Sequence, residues 1–354
     1  MLRYLGVAAA LKFFSISPQT KRAYRQLGNT LGQKVRVARG LHSWHLLNAK
    51  ETLELIERHH AIRSGDRLLE IGTGWAHWEA TVIRLFYDVE ITLFDTWDNR
   101  QLEAYKRYFG LFEDVIDKEL ALDPARSARA HKLLQVIARA RSFDEIYRAF
   151  GFRYVVDPNG TLKQFPGEAF SVVFSLNVFE HIHRAILPEF IHDLHGLLKP
   201  GGYSIQSINL GDHLAYYDAT VSLKNYLRYS DNVWRRFFEN DVQYINRVQR
   251  PEWLQLFHNA GLELVQEIPV STDLDSIKVH QTYEHLAKSD LECFNLVLVH
   301  RKPEKREETE IRSQKDRKPL ENSRTEPLPR SQGSTELHAP PEQMQRPPSQ
   351  QDSD

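Results

Sequence analysis

Two carboxylates and a pair of glycines carry the most specific chemistry in this sequence. Glu70-Ile71-Gly72-Thr73-Gly74 ends an apolar run and leads straight into Ala76-His77-Trp78-Glu79-Ala80. Glycines let a backbone pass close to a ligand and take positive φ, and the first turn of a following helix offers free N–H groups to an anion. Asp95 closes the next apolar run, 23 residues after Gly72, where an acid can accept both hydroxyls of a ribose. A third glycine would complete the diphosphate cradle G-x-G-x-x-G. That position is His77, which crowds a diphosphate, and Glu70 would repel one while tolerating an ammonium. A nucleoside ligand without phosphates therefore fits better than a dinucleotide.

A second set of reactive side chains lies in the long stretch from Asn209 to Arg250. Asp212 and His213 should emerge just past a strand's carboxyl end, the edge where ligands bind in open α/β sheets. His213 is a candidate base for a hydroxyl proton, with Asp212 beside it; a histidine that only fixes its loop is the plainer reading. His181 and His183 begin a helix and could face ligand or backbone. Together with His213 and Asp212 they lack recognisable zinc spacing, so no metal is expected. Tyr216, Tyr217, Tyr226, Tyr229, Trp234, Phe237 and Phe238 either wall an acceptor, with cation–π contact to a cation, or pack the faces of helices.

These groups need a frame, and the hydrophobic pattern supplies one. Apolar runs at 67–71, 89–94, 152–156, 171–175, 203–207, 262–266 and 294–300 alternate with helical patterns at about 46–62, 76–87, 100–110, 114–149 in two pieces, 184–198 and 251–260. That alternation predicts a parallel sheet covered on both faces. The segment 101–150 reads as a helical insertion, its apolar Leu120, Leu133, Leu134, Val136 and Ile137 suited to a lid or a homodimer face.

Four stretches in order resemble class I S-adenosylmethionine-dependent methyltransferases. Leu69 to Gly74 is similar to the family's glycine loop, Phe94-Asp95 to its ribose-binding acid, Phe170 to Ile182 to its strand-four segment, and Leu197-Leu198-Lys199-Pro200-Gly201-Gly202 to the turn before strand five. The resemblance implies a Rossmann-like α/β fold whose seven-stranded, mostly parallel sheet has the order 3-2-1-4-5-7-6; the long segments 101–150 and 209–250 then read as insertions after strands two and five. It implies S-adenosyl-L-methionine as cofactor: Glu70, Gly72, Thr73 and Gly74 along its methionine half, Asp95 on the ribose, Thr96 and Trp97 beside the adenine, Asp157 or Asn159 at the adenine amine, and Asn177 closing the pocket. It does not select the acceptor. The polar insertion and His213 suggest oxygen on a small-molecule or glycan-type molecule.

Bulk properties bound the rest. The 354 residues are 41% hydrophobic and 11% aromatic, enough for a packed core, and the net charge of −1 gives no field to draw in nucleic acid. The one cysteine, Cys293, sits in an apolar run, which suits a reducing, cytoplasmic setting. We read 1–45 as an N-terminal helical segment, 46–302 as the catalytic domain with inserts 101–150 and 209–250, and 303–354 as a disordered tail. The tail holds eight of the 16 prolines and no Phe, Trp or Tyr. The run Tyr4 to Leu11 is too short to span a bilayer, for which about 20 apolar residues are needed. It reads as a docking helix or a peripheral membrane contact. Two alternatives remain: a nicotinamide-dependent dehydrogenase, and a membrane-associated binding module without turnover.

Overall fold

The computed structural model describes residues 1–274 and 276–304; the expected tail lies outside them but for its first two residues. Five parallel strands form the centre: β1 (Arg67–Ile71), β2 (Glu90–Asp95), β3 (Phe152–Val156), β4 (Phe170–Leu176) and β5 (Leu198–Asn209). Two antiparallel strands, β6 (Glu263–Ser271) and β7 (Cys293–Arg301), finish the sheet in the order β3-β2-β1-β4-β5-β7-β6. Strand β1 is buried at Leu68, Leu69, Glu70 and Ile71 alike, the continuous burial of a strand covered on both faces. The chain moves outward from β1 to β2 and β3, then returns to β4 on the other side of β1. This reversal opens a crevice at the strands' carboxyl ends, and both Gly72 and Asn177 lie there.

Helices α1 (Leu2–Phe14), α2 (Pro18–Arg39) and α3 (Ser43–Arg58) precede the sheet, and α4 (Trp78–Phe86) follows β1. Ser17 caps α2 reciprocally with Thr20, and Pro18 occupies its first turn, a start signal that needs no tertiary help. Between β2 and β3 run α5 (Leu102–Glu113), α6 (Ile116–Leu120), α7 (Pro124–Arg139) and α8 (Phe143–Phe150). The stretch expected as two helices is thus three. Asp123 caps α7 ahead of Pro124, and Ser142 caps α8, so each break is a helix start written in the sequence.

The apolar residues of this insertion that suited a lid or a homodimer face pack against the domain's own core. Leu134 and Ile137 are buried, and Leu120, Leu133 and Val136 pack half-buried against the same core as α3, α4 and β2.

On the opposite face pack α9 (Leu187–Leu197) and α11 (Arg250–Asn259). The expected start at 184 falls on a single 3-10 turn, Arg184–Ile186, and the α-helix begins only with Leu187-Pro188. Strand β5 begins at Leu198, before the glycine pair, and bulges against β4 there. Strand β6 outlasts its expected end because it is the sheet's edge, where Pro269 lacks only a donor that no neighbour needs. A third core joins Tyr4, Ala8 and Leu11 of α1 to Leu214, Tyr226, Trp234 and Phe238 of the insertion after β5, which contains α10 (Asp231–Phe237); α12 (Lys288–Glu292) precedes β7. Helix α1 is therefore a docking helix. Most of the insertion's aromatic run packs this core, though Phe237 stays exposed. No helix among the described residues is long and apolar enough to cross a membrane.

Candidate functional site

The bend after β1 is set by Gly72 and Gly74, at φ +68° and +63°. Gly72 donates its N–H to the Phe94 carbonyl at 2.8 Å, and a Cβ there would run into Val178. Nothing but Gly tolerates both the dihedral and the contact. Open space lies beyond Gly74, whose N–H donates to Asp95 Oδ2 at 3.0 Å. Asp95 Oδ1 accepts the Thr96 N–H at 2.7 Å. One carboxylate thus ties two loops together, and each oxygen keeps a lone pair for a further donor. Burial raises its pKa against the opposing pull of those amides.

Glu70 is buried at the base of the bend and accepts the Thr73 hydroxyl. Burial, then the neighbouring Glu79, push its pKa well above the ordinary carboxylate range. A chain of hydrogen bonds holds this group. His77 contacts Thr73 Oγ1 through Nδ1 at 2.8 Å and Tyr147 through Nε2 at 2.8 Å. Because Thr73 spends its proton on Glu70, His77 must donate from Nδ1 and accept the Tyr147 hydroxyl at Nε2. Burial drives the His77 pKa down to about 3, which keeps the ring neutral as this chain requires. His77, the position where a dinucleotide cradle has its third glycine, is buried and lies in the left-handed region. Through Tyr147, insertion helix α8 supports the glycine bend.

The turn after β3 meets the same site. The Asp157 amide bonds the Asp95 carbonyl at 3.0 Å, while its carboxylate accepts the amides of Asn159 at 3.0 Å and Thr161 at 3.2 Å. Gly160 then fits against Thr96, with Asn159 exposed. From the other side, Asn177 at φ +53° donates its amide to Ser207 and sets Val178 over Gly72.

Helix α2 packs beside the bend, a contact the sequence reading missed. Arg36 lies over the Trp75 ring at 5.0 Å and donates to Gln101 at 2.8 Å, Asn29 accepts from Gln101 at 3.3 Å, and Arg25 sits over Trp97 at 5.6 Å. Positions 25, 29 and 36 share one helical stripe, so the spacing was available in the sequence; its partners were not. Further toward the insertion, Gln243 donates to both Tyr24 of α2 and Tyr217, at 2.7 and 2.9 Å.

On the insertion side the expected residues separate. Asp212 is buried and accepts the Tyr4 hydroxyl at 2.7 Å and the Leu214 amide at 3.0 Å, with burial pushing its pKa up to about 7. It anchors α1 and caps the 3-10 turn His213–Tyr217. His213 points elsewhere: its Nε2 is buried without a hydrogen-bond partner, and its ring lies 4.9 Å from that of His181 and 5.4 Å from Tyr216. Burial lowers its pKa well below the usual imidazole range. His183 caps the next turn and stacks on Tyr244 at 5.2 Å.

A family model described as a methyltransferase domain matches residues 42–267. Among curated proteins no sequence matches the chain. Solved structures of similar fold include phosphoethanolamine N-methyltransferase 2 of Haemonchus contortus with S-adenosyl-L-methionine. It is 12% identical, with a TM-score of 0.41 over 72% of this chain and 52% of that one. The CurJ carbon methyltransferase is 15% identical, TM-score 0.36, over 73% and 54%. The [4+2]-cyclase SpnF is 13% identical, TM-score 0.39, over 72% and 82%. The chain spans about half the length of the first two.

Proposed function

The chain belongs to the S-adenosylmethionine-dependent methyltransferases, and on that premise we propose that it methylates an oxygen of a small-molecule or glycan-type acceptor. The cofactor's ribose lies on Asp95, its amino-acid tail against Glu70 and the Gly72-Thr73-Gly74 bend, and its adenine beside Thr96 and Trp97, with Asp157 behind and Asn177 closing the pocket. The observation that carries this is the Asp95 carboxylate, fixed by the Gly74 and Thr96 amides at the end of β2.

Methyl transfer needs the acceptor in line with the sulfonium methyl, and positioning supplies much of the rate. A hydroxyl must also lose its proton. His213 is the group proposed to assist, since its Nε2 lies unpartnered past the carboxyl end of β5, while Asp212 holds its loop. A polar acceptor is supported by a groove of about 840 Å³ that contains Arg184, Asp231, Tyr244, Arg247 and Glu252. It begins at Tyr244, whose carbonyl accepts from His181 Nδ1 at 2.6 Å. The buried thiol of Cys293 supports a reducing, cytoplasmic setting.

The test is a transfer assay with donor labelled in its methyl group, run on cell extract and on defined polyhydroxylated compounds. Label should enter as a methyl ether, identified by mass spectrometry of the product. Label in a methylamine or on carbon would overturn the oxygen reading and leave the family assignment intact.

A further inference from the structure

Glu180, His181 and His213 come from two loops that the sheet brings together, the first after β4 and the second after β5. One ligand-type atom from each lies within 4.8 Å of the others. We propose that these three residues bind a divalent transition-metal ion, and that the ion's open positions take the acceptor oxygen.

Three features of the cluster argue against an ordinary polar contact. Both Glu180 carboxylate oxygens are buried without a side-chain or well-formed backbone hydrogen bond, and so is His213 Nε2. Buried polar atoms are nearly always partnered, because leaving one unpaired costs about 1–3 kcal/mol. Here several orphans converge on one point. Next, His181 Nδ1 is already engaged with the Tyr244 carbonyl at 2.6 Å, which fixes its tautomer and turns the lone pair of Nε2 outward. That backbone brace is the usual support of a metal-bound imidazole. Finally, His181 is exposed, so the cluster has an entry path from solvent.

The donor set decides the class of ion. Two neutral imidazoles and one carboxylate suit zinc, manganese, iron or cobalt, whereas calcium and magnesium prefer oxygen alone. Bond lengths of about 2.0–2.2 Å in a tetrahedral site place two ligand atoms about 3.3–3.6 Å apart, so the widest pair needs to close by about 1.5 Å at most. The sequence gives little warning: Glu180-His181 and a histidine 32 positions on match no familiar spacing, because the sheet and not the chain makes them neighbours.

Binding stands on this geometry alone; the role given to the ion rests on the oxygen-acceptor reading, with His213 assisting as a ligand of the ion and not as the base that takes the proton. A hydroxyl bound to the ion loses its proton to water more readily. The oxygen lone pair then forms the new C–O bond as the C–S bond breaks, its electrons returning to sulfur as the neutral thioether.

The experiment uses the full chain without a purification tag, stripped with chelator and titrated with cobalt(II). It follows the visible d–d absorption, with parallel calorimetry using zinc. One ion per chain is expected, with affinity falling at least tenfold in both His181→Gln and His213→Gln and lost in Glu180→Gln. S-adenosylmethionine affinity, measured on the same samples, reports the fold and the cofactor pocket independently. Absent cobalt binding, or binding unchanged in the histidine variants that still hold the cofactor, overturns the site. Methyl transfer that is equal in stripped and reloaded protein overturns the ion's role while leaving its binding in place.

Discussion

Glu70 is the residue at which burial and ligand chemistry meet. Burial and the neighbouring Glu79 raise its pKa, so on the acid side of the raised value it holds a proton where the cofactor's ammonium is proposed to sit. Binding should therefore expel that proton. On the acid side of the raised value, affinity for S-adenosylmethionine is expected to climb with pH, by up to about tenfold per unit, and then level off. Glu70→Gln should weaken binding and flatten the profile. Calorimetry across pH and in buffers of different ionisation heat checks both points. For the free protein the linkage runs the other way: a carboxyl with a raised folded pKa contributes stability below its unfolded value of about 4.3, and that contribution is lost as pH rises through the folded value. The sequence made Glu70, Gly72 and Asp95 legible because glycine and acid types at strand ends mean the same thing in any packing. It could not reveal that Asp212 faces Tyr4 and not a ligand, since that depends on a helix more than 200 residues away in sequence.

At the scale of elements, the insertion after β5 hangs on one buried cation. Lys224 Nζ reaches the carbonyls of Leu210 and Cys293 at 3.1 and 2.9 Å, Tyr226 at 2.9 Å and Gln249 at 3.1 Å. It joins the end of β5 to the start of β7 and to the turn before α11. Burial pushes its pKa down to about 7. The unfolded chain then holds the extra proton between about pH 7 and 10, so stability should rise with pH across that window. Lys224→Met should remove this slope and cost about 2–4 kcal/mol, because buried acceptors are left unpaired. Urea unfolding at several pH values reads both effects. Element types were readable from apolar period and caps such as Asp123-Pro124. Element roles were less so: α2 has no buried residue, and only the rings of Trp75 and Trp97 reveal what it covers.

Over the whole molecule, strand order and the reversal between β1 and β4 fix where a ligand can lie. The cofactor half of the crevice is built from three adjacent strands and is written locally in the sequence. The acceptor half is assembled from segments far apart in the chain, which is why residues were named at 181, 212 and 213 but their partners at 180 and 244 were not. Both halves depend on the claim that the crevice holds S-adenosylmethionine against Asp95. The most direct measurement is a calorimetric titration of that compound, and of S-adenosylhomocysteine, into the parent protein and Asp95→Ala. The account predicts one site in the parent and an affinity at least tenfold lower in a folded variant. Equal affinity in both proteins, or no binding to a folded parent, would contradict it.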